Sequence, residues 1–134
     1  MKRLEITAKF SATATSKGYL DYLLRNQIFQ RAIDAYAFAA AYALKNNVKI
    51  PQVLTVKSHS LAEVFRLDND VRLALEAGVY AVCKRNGQPE PTSSAEVFDL
   101  VSKYAEAGLI LLQKKWEEKT RAQIQNDVQK IIGT

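Results

Sequence analysis

The stretch AIDAYAFAAAYALK, Ala32 to Lys45, decides the fold. Nearly every residue in it is a strong helix former, and its apolar side chains occupy almost the full circumference instead of a single stripe. A helix over 28–45 is predicted, and a helix that is apolar all round has to be central or face another subunit. Its alanines at 32, 35, 37, 39, 40, 41 and 43 allow other backbones to come close, while Tyr36, Phe38 and Tyr42 supply bulk. Asn46 and Asn47 suit a C-terminal cap, and Pro51 cannot continue the helix.

Towards the N-terminus, RLEITAKF (3–10) alternates Leu4, Ile6, Ala8 and Phe10 with Arg3, Glu5, Thr7 and Lys9. This is the period-two pattern of a half-buried strand, and the sequence holds no second strand of comparable clarity. The hydroxyl-rich SATATS offers an N-cap at Thr15 or Ser16 for a short helix over 17–25. Towards the C-terminus, QVLTVKSH (52–59) reads as a connection that can include an extended stretch. Ser60 and Glu63 have the spacing of a capping box, which predicts a short helix to Leu67. Asp68 or Asn69 caps a helix over 70–84 with Val71, Leu75, Val79 and Val82 facing the core. After the QPEP loop, Ser93 or Ser94 caps a long helix whose apolar residues recur to Trp116. Gly108 within it implies a kink or a close backbone approach, since glycine there costs ~1 kcal/mol relative to alanine.

The tail beyond Trp116 is polar except for Ile124, Val128, Ile131 and Ile132, a stripe at four- and three-residue spacing. It either packs on its own domain or docks onto another subunit. The expected fold is mainly α, a compact helical bundle of about five helices with one short N-terminal β-strand. A single domain over 1–134 is expected, with 1–14 as strand and arm and 117–134 as a C-terminal helical extension.

A chain of 134 residues can bury a core without disulfides or metals. No segment has the ~18 apolar residues of a membrane span, and the basic opening MKRLEITAKF is followed by no apolar signal region, so a soluble cytoplasmic protein without membrane contact is expected. The single cysteine, Cys83, lies on an apolar helix face and is expected to be a buried free thiol. The net charge of +5 is concentrated: residues 1–50 hold eight basic side chains against three acidic ones, while the two later stretches balance. A basic segment on a neutral body favours phosphate-rich partners and also serves solubility.

Catalytic signatures are missing. His59 is the only histidine and lies between two serines, where an exposed or locally hydrogen-bonded imidazole is expected. The five glycines never cluster into a phosphate loop, and Asp68 with Asp70 and Glu117 with Glu118 read as a cap and a solvated face. No catalytic residue, cofactor or metal is expected, and the protein reads as a binder, not an enzyme.

Three segments, IFQRAIDAYAFAAAYALKNN (28–47), LAEVF (61–65) and EVFDLVSKYAEAGLILL (96–112), resemble in order and spacing the small helical proteins encoded with bacterial Dnd, or DNA phosphorothioation, systems. The resemblance implies an accessory role in prokaryotic antiviral defence, beside a DNA-modification or restriction assembly and its other proteins, and carries over no active site. The N-terminal third is also similar, more loosely, to ribbon-helix-helix DNA binders, which pair the strands of two chains and insert the ribbon into the major groove. In that arrangement Arg3, Glu5, Thr7 and Lys9 would face the bases and the helix start at 28–31 would hold a phosphate. The basic N-terminal third as a whole gives Lys2, Arg3, Thr7, Lys9, Lys17, Arg25 and Arg31 as the expected DNA contacts. Pairing of the strand within its own domain or with a dimer mate is the alternative. A second functional reading is an adaptor or scaffold subunit without nucleic-acid contact. It would use Tyr36, Phe38 and Tyr42 of the alanine-rich helix with Ile124, Val128, Ile131 and Ile132 of the tail as protein interface, and a homo-oligomer is expected.

Overall fold

The computed structural model describes residues 1–52 and 56–133. It is mainly α, with β1 (Lys9–Ala12), α1 (Ala14–Arg25), α2 (Ala32–Lys45), β2 (His59–Glu63), a 3-10 turn (Val64–Arg66), α3 (Asn69–Arg85), α4 (Ser94–Lys115) and α5 (Arg121–Ile132). Among the described residues no helix is long and apolar enough to cross a membrane.

Helix α2 is the centre. Ala39, Ala40 and Ala43 are fully buried, and α2 packs on α4 on one side and α3 on the other. Its alanines set the spacing. A Cβ built on Gly108 of α4 would stand 2.1 Å from the Ala39 carbonyl oxygen, so only glycine permits this crossing. Of the two expectations for Gly108, close approach holds, since α4 runs unbroken through it. Helices α2 and α3 run parallel, with Asn47 and Asn86 beyond their C-terminal ends exchanging two amide hydrogen bonds of 2.9 Å.

The helix starts follow local chemistry closely. Thr13, ahead of the expected Thr15 or Ser16, caps α1 by accepting from the Ser16 amide, and Ser93 caps α4 by accepting from that of Glu96. Thr120 and Gln123 form a reciprocal capping box on α5. Helix α2 begins at Ala32 instead of Ile28, because Gln27 takes a positive φ of 57° and residues 28–31 form a lead-in, with Phe29 packed against Phe38 at 5.3 Å. Val71, assigned to the α3 core face, is 37% exposed, whereas Leu75, Val79 and Val82 are buried.

Two strand expectations change. The alternation of 3–10 becomes a strand only over Lys9–Ala12, because the Ala8 amide donates to the Glu5 carbonyl and turns the chain at Ile6 and Thr7. The turn leaves Ile6 exposed while Leu4, Phe10 and Ala12 go inward. The second strand lies where the capping box predicts a helix. Residues 59–63 pair antiparallel with β1, with Lys9 opposite Glu63 and Ala12 opposite His59, and a bulge between Phe10 and Ser11. Glu63 is extended at φ −71° and ψ 151°, so the helical tendency survives only as the three-residue 3-10 turn. A non-local ladder has overridden a local signal. Of the connection expected over 52–59, residues 53–55 lie outside the described residues. β1 thus pairs within its own chain, the alternative to a two-chain ribbon.

Phe10 carries the sheet into the core. Its ring stacks on Phe98 of α4 at 4.7 Å and meets Tyr36 of α2 at 5.8 Å. Helix α5 closes the other end with Ile124 and Val128 buried and Ile131 partly buried. Trp116 stacks on Phe38 and donates its indole N–H to Asp127 at 2.7 Å.

Candidate functional site

Most of the residues expected to meet DNA are already paired with carboxylates. Arg3 donates through Nε to Glu76 of α3, which is fully buried and also accepts the Leu4 amide at 2.6 Å. Lys17 pairs with Asp21 at 2.6 Å. Arg31 forms two bonds to Asp34, at 2.7 and 2.8 Å, and a third to the Arg66 carbonyl at 3.0 Å. The bond to Asp34 holds the Arg31 guanidinium above its ordinary value. Lys9 Nζ lies 4.0 Å from Glu63, whose carboxyl is held low by a backbone hydrogen bond, then by Lys9 and Arg66. Thr7 donates to Glu5 at 3.1 Å. Of the six basic side chains expected at DNA, Lys2 and Arg25 are the two without an ion pair among the described residues. The Lys2 amide donates to the Tyr80 hydroxyl at 2.7 Å.

A buried polar centre, not read from the sequence, joins β1, α1, α2 and α4. Glu106 of α4 is 5% exposed and makes no ion pair among the described residues. It accepts from the hydroxyls of Thr13 at 2.9 Å, Tyr36 at 2.8 Å and Ser16, and from the Thr13 amide at 3.4 Å. Four donors match the capacity of a carboxylate, so Glu106 has no free lone pair to act as a base. Burial, then the adjacent Glu106 charge, raises the Tyr36 phenol far above the ordinary tyrosine range. The sequence signals were an acid within the apolar run VSKYAEAGLILL and the hydroxyls of SATATS, both of which also fit bland surface roles.

The residues expected at a protein interface divide. Tyr36, Ile124 and Val128 are corrected to core: the first bonds to Glu106, and the other two seat α5 on its own domain. Phe38 and Tyr42 are partly buried in packing, as is Ile131, and Ile132 is exposed.

Open surface of a different kind lies between α1 and the end of α4. A groove of about 630 Å3 is lined by Thr15, Gly18, Tyr19 and Tyr22 on one wall and Ile110, Gln113, Lys114 and Trp116 on the other, with Glu117 and Glu118 at its end. Ile110 is 55% and Tyr22 37% exposed. The rings of Tyr19 and Tyr22 stack at 5.7 Å. The Tyr19 hydroxyl is buried with no hydrogen-bond partner among the described residues, and burial, then Tyr22, raises its phenol above the ordinary range. An unpartnered buried hydroxyl costs about 1–3 kcal/mol. Gly18 has nothing within 4 Å of a built Cβ, so the helix carries a glycine that its own packing does not require.

His59 sits in β2 with its Nδ1 3.3 Å from the Ser58 hydroxyl. Cys83 is buried, with its thiol raised by burial and then by Glu90. Compared with known proteins, the chain matches no family model, no curated protein and no solved structure.

Proposed function

We propose that this protein is a non-catalytic cytoplasmic adaptor that holds a protein partner in the groove between α1 and α4. The observation that carries the reading is the groove itself. It brings exposed Ile110 and Tyr22 together in one concave surface, and exposed apolar and aromatic side chains gathered in a patch are the usual makings of an interface. DNA binding through the basic N-terminal third draws less support, because Arg3, Lys9, Lys17 and Arg31 each lie beside a carboxylate. The resemblance to Dnd-associated proteins supplies the partner class, the proteins of a DNA-modification or restriction assembly.

Co-expression with the proteins of a phosphorothioation system tests this. A partner should co-purify with the wild-type chain and be lost with Ile110→Glu and with Tyr22→Ala, both of which should keep the wild-type melting temperature. Absence of any co-purifying partner, or retention of the partner by both variants, would overturn the proposal.

A further inference from the structure

We infer that the outer face of α3 is a self-association surface, on which a second copy of this chain packs its own α3 antiparallel about a two-fold axis at Ala77. The inference is independent of the α1/α4 groove.

Helix α3 forms one side of the α2 layer, and its outward side is bare of charge over most of its length. Between Asp70 and Lys84 the only charged residues are Arg72 and Glu76. Arg72 is drawn back onto the Leu67 carbonyl at 2.7 Å, and Glu76 is buried against Arg3 and Leu4. What faces outward is Leu73, 38% exposed, with exposed Ala74, Ala77 and Ala81. Beside this row a shallow groove of about 320 Å3 is lined by Ala41, Leu44, Gly78 and Val82, with Lys45 and Arg85 from the last turns of α2 and α3. A surface helix ordinarily turns its polar side outward, so an exposed side of leucine and alanine calls for cover.

The charges at the two ends choose the occupant. In an antiparallel pair centred on Ala77, residues equally far from the centre meet. Asp70 then meets Lys84 of the second copy, and Asn69 meets its Arg85. Leu73 meets the second Ala81, where the absence of a larger side chain leaves it room. Ala77 meets its own counterpart, and small residues at the seam allow helices to approach to the lower end of the roughly 8–10 Å range. Positions 70, 73, 77, 81 and 84, all exposed, lie along one side of the helix and map onto one another about the two-fold axis. The face is therefore self-complementary in both shape and charge, as an isologous contact requires. A parallel arrangement would place Asp70 on Asp70 and Lys84 on Lys84.

Sedimentation equilibrium across a range of concentrations, combined with oxidative cross-linking, tests this on the full chain. The wild type should show a monomer–dimer equilibrium, and Ala77→Cys should give a covalent dimer while an exposed control, Ala95→Cys, does not. Ala77→Arg, a change on open surface, should give a folded monomer. Asp70→Lys should weaken the dimer at least tenfold, and Asp70→Lys with Lys84→Asp should restore it. A wild-type chain that stays monomeric at every concentration overturns the inference. So does a dimer unaffected by Ala77→Arg, or a double swap that fails to restore association. A monomer whose α3 face instead captures a different protein would also overturn it.

Discussion

Helix α2 and the N-terminal arm are both held against the body of the protein, but by forces of different kinds. Helix α2 is seated by packing spread along its length, with alanine against glycine at Ala39 and Gly108 and the hydroxyl of Tyr36 on Glu106. The arm, residues 1–8, hangs on few points: Leu4 in the core, the Lys2 amide on Tyr80, Arg3 and the Leu4 amide on Glu76, and the amides of Val64 and Phe65 on the carbonyls of Ala8 and Ile6. Spread packing yields only when the domain unfolds, whereas a few attachments can release locally. The arm is thus the part of the molecule whose charges can change partner, and α2 is the part that cannot be exposed without losing the fold.

The sharpest way to break this comparison is at the α2–α4 crossing. Gly108→Val would drive a side chain into the Ala39 carbonyl and should destabilise the protein by roughly 3 kcal/mol or more in urea unfolding. A loss under about 0.5 kcal/mol would show that the crossing is loose. Glu106→Gln puts an amide N–H among hydroxyl donors and should cost about 2 kcal/mol. At the arm, Arg3→Ala leaves the buried Glu76 with only the Leu4 amide. The half-exposed guanidinium limits the loss to about 1–2 kcal/mol, and hydrogen exchange should quicken in residues 2–8 before the helices. Protection lost equally across α2 would contradict a local attachment.

The smallest of these effects at neutral pH is set by tyrosine. The phenols of Tyr36 and Tyr19 lie above their ordinary value of 10.0 in the folded chain, chiefly through burial. The unfolded chain therefore releases protons that the folded chain keeps. The stability linked to these groups is complete below pH 10 and falls as pH rises beyond it. Phenolate absorbance from the buried rings should appear together with loss of helix, and Tyr36→Phe should weaken this alkaline dependence. Full titration of all six tyrosines near pH 10 with the helices intact would contradict their burial.

Much of the helical scaffold was legible because its signals are local. Ser93 and the alanine-rich run act within a few residues of themselves, and the period of Val97 to Trp116 places α4 correctly. What escaped depends on residues far apart in the chain. The Ser60–Glu63 box is a good helix start until β1 lies beside it. The strand pattern of 3–10 fails at Ile6 because of a turn whose flanking carbonyls, of Ile6 and Ala8, accept from the amides of Phe65 and Val64. The charge of the N-terminal third is real as a sum, but Glu63 and Glu76 come from elsewhere and meet Lys9 and Arg3. The groove was invisible for the same reason, since Tyr19 and Ile110 are ordinary helix residues until α1 and α4 are brought together.

The central claim is that this surface offers itself to protein and not to phosphate, and a fluorescence-anisotropy titration of duplex DNA at low and physiological salt tests it most directly. The account predicts weak binding that disappears at physiological salt and responds equally to charge reversal anywhere on the molecule. Tight binding that falls steeply with salt and is selectively abolished by Lys2→Glu with Arg25→Glu, while Ile110→Glu leaves it unchanged, would contradict it.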